Sequence, residues 1–226
     1  WLERHYGAAS EGNLYDGRAQ TDAMGNPVFL DFERESIRLF PRIEGEGAQR
    51  DDLRGVVDAI TGNAGRPTFY ETVGEVIDWE TFHGYAAAEI WLGHALGYLS
   101  NRDNYRVYFD PADEKMDFAP WGLEKAFEIE DGIGCGFETP CGLLAELCWA
   151  DEDCLAAQRA TILALDDTLR ELNIVNHFDS LSASSIGAAR ADPLGECPRT
   201  PLNAARLNLR DWLGARSEAI RAQWTP

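Results

Sequence analysis

Apolar residues recur along this chain with two periods, one of three to four residues and one of two, and the periods alternate in blocks. Leu53, Val56, Val57 and Ile60 fall on one side of a helix predicted over Asp51 to Ala59, and its acidic start complements the positive end of the helix dipole. Glycines and a proline between Gly62 and Pro67 break it. Asp78 is placed to cap a second helix, in which Trp79, Phe82, Ala86 and Ile90 share a face, and this helix delivers the chain to His94. Asp151 opens a longer amphipathic segment ending near Asn173, with Leu155, Arg159, Ile162, Leu163, Leu169 and Leu172 at three- and four-residue steps. A shorter helix is predicted over Asn176 to Ala191. Thr200 and Pro201 form a cap and first-turn proline for a last helix striped by Leu202, Ala205, Leu209, Leu213, Arg216 and Ile220.

Strand signals are fewer. Gly12 to Gly17 and Pro27 to Phe32 are short candidates bounded by turn residues. Tyr105 to Phe109 and Met116 to Ala119, joined by a turn at Asp110 to Asp113, form a hairpin. Such a hairpin holds side by side the loop before its first strand, Leu96 to Asn104, and the loop after its second, Trp121 to Glu124. The expected class is α+β, helix-rich, in one domain over 1–226. Its expected parts are strands and loops over 1–70, a helix and hairpin carrying the candidate site over 71–130, and a helical scaffold over 131–226.

Composition narrows the function classes. A formal charge of −19 over 226 residues, with no basic stripe, disfavours a nucleic-acid backbone as partner and leaves basic protein partners compatible. No run approaches the ~18–20 apolar residues of a membrane span. Trp1 to His5 is neither a signal peptide nor an initiator start, so the chain is expected to begin inside a larger protein. Four of its five cysteines fall between Cys135 and Cys154. Their spacing suits local disulfides, Cys148 with Cys154 and Cys135 with Cys141, in an exported or cell-surface protein. A zinc site lacks a C-x-x-C pair and a nearby His at usual spacing. Reduced core cysteines in a cytosolic protein are the remaining alternative, and Cys197 is left over.

The residues near the hairpin ends each have an ordinary reading. Asp103 and Asn104 read as turn residues before a strand, Glu124 as an exposed acid, His94 as a helix C-terminal cap, and Trp121 as packing. Gly132 to Gly136 lacks the strand, helix and Lys-Ser/Thr that a phosphate loop requires.

Taken together, His94-Ala95-Leu96-Gly97-Tyr98, Asp103-Asn104-Tyr105 and Pro120-Trp121-Gly122-Leu123-Glu124 resemble the CotH kinase family, the atypical protein kinases related to spore coat protein H. There the corresponding motifs are H-W-D-G-Y, N-N-Y, and P-W-D-x-D or P-W-G-x-D. The resemblance extends from about Gly12, where Gly12 to Asp16 is similar to a G-N-L-Y-E segment. It runs to the end of the chain, where Arg210 to Arg216 matches R-x-W-L-x-x-R.

The resemblance implies the helix-rich C-terminal lobe of a kinase-like domain, with a short β-hairpin carrying the site loops. It also implies phosphoryl transfer from ATP to protein Ser or Thr with Mg²⁺ or Mn²⁺. Leu96 stands where the family has its catalytic aspartate and is expected to be inactive, since it cannot accept a proton. Asp103 is the acid near enough in sequence to take over some of that work. Asn104 and Glu124 are the residues implied to hold metal and nucleotide through hard oxygen donors. The family's N-terminal lobe, with its nucleotide-binding lysine, is expected to lie outside this chain, because neither Lys115 nor Lys125 occupies that position. The implied function is therefore an impaired CotH-like kinase. The alternatives are a pseudokinase that binds a partner and a secreted structural or partner-binding module of spore-coat or cell-surface type.

Overall fold

Strand alternation builds an antiparallel sheet that buries Tyr15, Tyr105, Tyr108, Phe109 and Phe118 together with Leu14, Val107 and Met116. In the computed structural model, residues 11–46, 49–123, 126–127, 135–191 and 199–225 are described. Their sheet has the order β4 (Arg42–Glu44), β1 (Asn13–Asp16), β5 (Tyr105–Phe109), β6 (Met116–Pro120), all neighbours antiparallel. The hairpin β5–β6 is the one that the alternating pattern predicts, with Tyr105 opposite Pro120 and Phe109 opposite Met116. A separate two-stranded ribbon joins β2 (Gln20–Thr21) to β3 (Pro27–Val28).

The expected strand over Pro27 to Phe32 is thus corrected to its first two residues. Beyond them the buried Asp31 carboxylate accepts the N–H of Phe32, and Glu33 N–H bonds the Asp31 carbonyl. Those backbone groups are committed to a local turn, so no ladder can form. Leu30 and Phe32 enter the core from this turn.

The chain's contacts divide it into two compact units, residues 1–158 and 159–226. In the first, α1 (Asp51–Asn63) buries Leu53, Val56, Val57 and Ile60 and runs beyond the expected end at Ala59. A short α2 (Phe69–Val73) follows. Asp78 caps α3 (Trp79–Leu92) by accepting from Glu80 N at 2.8 Å and Thr81 N at 3.1 Å. This helix is buried on more than the expected face, because His83, Tyr85, Ala87, Glu89 and Trp91 join Phe82, Ala86 and Ile90 inside. It packs on the sheet through Phe118 of β6, whose ring lies 5.1 Å from Phe82, 5.3 Å from Tyr85, 5.3 Å from Tyr98 and 5.8 Å from Phe32.

Both disulfides expected from spacing are present. Cys135–Cys141 closes a segment whose ends donate to Ser100 O and Leu99 O, beside the short helix α4 (Tyr98–Asn101). Cys148–Cys154 ties α5 (Leu143–Ala150) to α6 (Glu152–Glu171) across Asp151. Cys197 lies outside the described residues.

The buried positions along α6 are Cys154, Gln158, Ile162 and Asp166, a strict four-residue step. The expected stripe included Arg159 and Leu172, and both are exposed. Two of the inward residues are polar, which hides the true face from a hydrophobic pattern. Asp166 belongs to the second unit, where it accepts from Ser217 Oγ at 2.9 Å and Arg221 Nε at 2.8 Å of α8 (Arg199–Trp224). Between them lies α7 (Ile174–Ala191), joined to α8 by Arg210 and Asp179 at 3.0 Å. The last helix starts at Arg199, so Thr200 sits within its first turn rather than capping it, and its buried residues are Leu213, Arg216, Ile220 and Trp224. Among the described residues no helix is long and apolar enough to cross a membrane.

Burial pushes the Asp31 carboxyl up to about 6, against hydrogen bonds from Leu143 N, Phe32 N and the Tyr98 hydroxyl that favour its ionised form. An unfolded Asp titrates near ~3.9. Between about pH 4 and pH 6 the folded chain therefore holds a proton that the unfolded chain has released, and stability falls as pH rises through that window. The loss from this group reaches about 3 kcal/mol by neutral pH. Urea denaturation of the wild type and of Asp31→Asn is expected to show their stability difference changing by about that amount between pH 4 and pH 7. Parallel pH curves for the two proteins would remove Asp31 as the source.

Candidate functional site

The hairpin brings its two flanking loops into contact at one end of the sheet. Helix α3 stops at Gly93, whose φ of 60° is the left-handed conformation that ends helices. The chain then passes through His94, Ala95 and Leu96 to Gly97, where α4 begins. Glu89, one turn before the end of α3, determines that path. Its carboxylate is buried at 3 % exposure and accepts from the Tyr85 hydroxyl, from Tyr98 N at 2.9 Å and from Leu99 N at 2.9 Å. The last two are the first N–H groups of α4, so Glu89 acts as the cap of a helix to which it does not belong. Gly97 is required by space, because a Cβ there would lie 1.8 Å from Glu89 Oε1.

His94 is not a solvent-facing cap but a buried link between the loops. Its Nδ1 lies 3.3 Å from Glu89 Oε1, and its Nε2 lies 3.1 Å from the carbonyl oxygen of Gly122 in the second loop. Both partners are acceptors. A neutral ring donates to one of them, whereas a protonated ring donates to both.

Asn104 makes a second link to the same carbonyl: its Nδ2 donates to Gly122 O at 3.1 Å. Asn104 is buried, with φ of 47°, and Gly122 has φ of 61°. A Cβ on Gly122 would meet Asn104 Cγ at 2.6 Å, so only glycine satisfies both the backbone and the contact. Asp103, half-buried, uses Oδ1 to accept Ala19 N and Asn104 N, each at 2.8 Å. It thus ties the loop to the turn after β1. Leu96 is half-buried and brings no polar atom to the loop. Trp121 packs as a cation–π partner, with Arg106 Cζ 3.4 Å from its ring centroid. Glu124 lies outside the described residues.

The structure therefore brings Asn104 to the second loop through Gly122, whereas the Asp103 carboxylate is engaged by Ala19 N and Asn104 N. Sequence reasoning overlooked Glu89, although a signal exists. It is the one acid in the otherwise apolar run Ala86 to Leu92, four residues after Tyr85, where an inward carboxylate can meet that hydroxyl. The arginines near the second strand candidate serve structure. Arg34 pairs with Asp58, and Arg42 bonds Tyr15, Glu46 O and Gln49 O. At the other end of β5, a cavity of about 510 Å³ is lined by Glu11, Glu46, Asp51, Asp52, Asp110 and Glu114, away from both loops.

A protein-family model described as CotH kinase protein matches residues 1–157. That span includes both loops and all three motifs, and it leaves most of α6 and all of α7 and α8 outside. No curated protein matches the chain.

Gly122→Ala is expected to lower stability by about 1–3 kcal/mol, because it adds left-handed strain to a side-chain clash. Gly84→Ala is the control. Gly84 is an exposed helix residue with nothing within 4 Å of an added Cβ, and the change there should stabilise by up to about 1 kcal/mol. Equal responses in urea denaturation would show that the Asn104–Gly122 contact does not constrain the loops.

Proposed function

The chain belongs to the CotH kinase family, and from that premise we propose that it is a kinase-like domain that binds a metal–ATP complex at the hairpin ends and transfers phosphate poorly. The observation that carries this reading is the junction at Gly122 O, where His94 and Asn104 hold the two loops together while Leu96 contributes no acid. Asn104 and Glu124 would hold Mg²⁺ or Mn²⁺ through amide and carboxylate oxygens, which are hard donors suited to those ions. When bound there, such an ion would supply charge neutralisation on the phosphates. This chain's own residues set the spacing of the two loops, through the Glu89–His94 pair and the Asn104 amide.

Leu96 accounts for the impairment. A positioned general base contributes about 10²–10⁴-fold to such a step, and an isobutyl side chain neither accepts a proton nor orients a hydroxyl. Asp103 is a poor substitute, since one of its oxygens is already engaged by two backbone N–H groups. The acceptor is a protein Ser or Thr, as in the family, with basic surroundings favoured by a formal charge of −19. Two disulfides support an extracellular or cell-surface setting. The same charge and disulfides favour a second reading, in which the frame persists as a structural or partner-binding module.

Calorimetric titration of Mg-ATP and Mn-ATP into the protein expressed from its native gene separates these readings. Binding is expected in the wild type and in Leu96→Asp, and is expected to disappear in Glu124→Ala. Leu96→Asp should raise phosphotransfer to a basic Ser/Thr peptide by about 10²-fold or more. No nucleotide binding by any form would replace the kinase-like reading with the partner-binding module.

A further inference from the structure

A second cluster of reactive side chains lies away from the hairpin ends. His83 on α3, Cys148 on α5 and Cys154 on α6 bring a ring nitrogen and two sulfurs within 4.8 Å of one another. All three side chains are buried, at 3 %, 0 % and 0 % exposure. The histidine could not be found from cysteine spacing, because it comes from a helix far earlier in the chain.

His83 is held in a fixed orientation on three sides. Its Nδ1 is 2.8 Å from Gln158 Oε1, one turn beyond Cys154 on α6. Its Nε2 is 3.4 Å from the Tyr70 hydroxyl. The Trp79 ring stacks on it at 5.6 Å with an interplanar angle of 20°. Gln158 orients one ring nitrogen as an outer partner supports a metal-bound histidine, and the long 3.4 Å contact from Tyr70 is the one that gives way when the other nitrogen ligates.

We propose that His83, Cys148 and Cys154 bind a zinc-type divalent ion when the Cys148–Cys154 disulfide is reduced, so that one buried cluster joins α5 to α6 when oxidised and joins both to α3 when it holds the metal. In the first step a dithiol reductant is oxidised to its disulfide as Cys148–Cys154 accepts two electrons and two protons and becomes two thiols. In the second, the ion displaces both protons and is held by two thiolates and a neutral imidazole, with water at the fourth tetrahedral position. Two thiolate charges against one divalent ion leave the buried site neutral, which removes the main cost of placing ions there. The sulfurs must part from a bond length to ~3.5–4 Å, as Zn–S bonds of ~2.3 Å require. Asp151 is the one residue between α5 and α6, so that joint is where the separation is absorbed. The chain would use the metal before oxidation or in a reducing compartment, and the disulfide afterwards.

The inference does not rest on nucleotide binding and is tested apart from it. The protein used is the full chain carrying Cys135→Ser, Cys141→Ser and Cys197→Ser, reduced with a dithiol that is then removed. Co²⁺ is expected to bind one to one, with the thiolate-to-metal charge-transfer band and strong visible bands of a tetrahedral site, and Zn²⁺ to displace it. Adding His83→Ala should weaken binding by more than about tenfold, since even the loss of an outer support costs that much. Zn²⁺ should also raise the melting temperature of the reduced chain and leave the oxidised chain unchanged, a comparison that needs no change at His83. Absence of the bands, bands indifferent to His83→Ala, or a reduced chain that Zn²⁺ neither folds nor stabilises would each overturn the proposal.

Discussion

The buried carboxylate of Glu89 is the constraint on which the first unit's candidate site depends. A carboxyl group buried to 3 % exposure is costly unless hydrogen-bond partners surround it. Here the partners are the Tyr85 hydroxyl, the first two N–H groups of α4, and Nδ1 of His94. Three of these four belong to the chain between His94 and Leu99. Satisfying one buried carboxyl group therefore dictates how the loop leaves α3, where α4 starts, and why position 97 has no side chain.

Tyr98 carries the same constraint across the core. Its backbone N–H is held by Glu89, while its hydroxyl donates to Asp31 at 3.0 Å and accepts from Leu144 N at 3.0 Å. Asp31 in turn accepts Leu143 N at 2.9 Å, so both N–H groups that open α5 end on this pair. Two buried carboxylates, joined through one tyrosine, thus connect the turn after β3, the site loop and the start of α5. The Cys135–Cys141 bridge closes the same neighbourhood covalently, beside the Leu99 and Ser100 carbonyls that Cys141 N and Cys135 N reach.

Much of this was legible in the sequence where one physical signal dominated. The β5–β6 hairpin, the Asp78 cap and the buried face of α1 follow from alternation, capping chemistry and helical spacing. Both disulfides follow from clustered cysteines. Legibility failed where polar side chains do the work of apolar ones. Gln158 and Asp166 occupy the inward line of α6 because His83, Ser217 and Arg221 satisfy them, and a hydrophobic pattern assigns such positions to solvent. The segment after Val28 reads as a strand by composition, yet Asp31 draws its backbone into a turn. The nearness of Asn104 to Gly122 was legible from the hairpin that sets their loops side by side, while Glu89 and the inward role of His94 depend on contacts that no local pattern encodes.

The family motif can accordingly be divided by what each position touches. His94 spans Glu89 and Gly122, Gly97 leaves room for the Glu89 carboxylate, and Tyr98 joins Glu89 to Asp31. These three are needed for the loop to exist at all, whatever chemistry it performs. Ala95 and Leu96, between them, are half-buried, and their side chains offer no hydrogen bond. A change at those two positions alters what the loop presents and leaves its course intact, because the groups that satisfy Glu89 are unaffected. The same division holds in the second loop, where the Gly122 carbonyl is the frame and its missing side chain is the condition for Asn104 to approach. The outline of the two loops is therefore independent of what stands at position 96, since the groups that satisfy Glu89 come from Tyr85, His94, Tyr98 and Leu99.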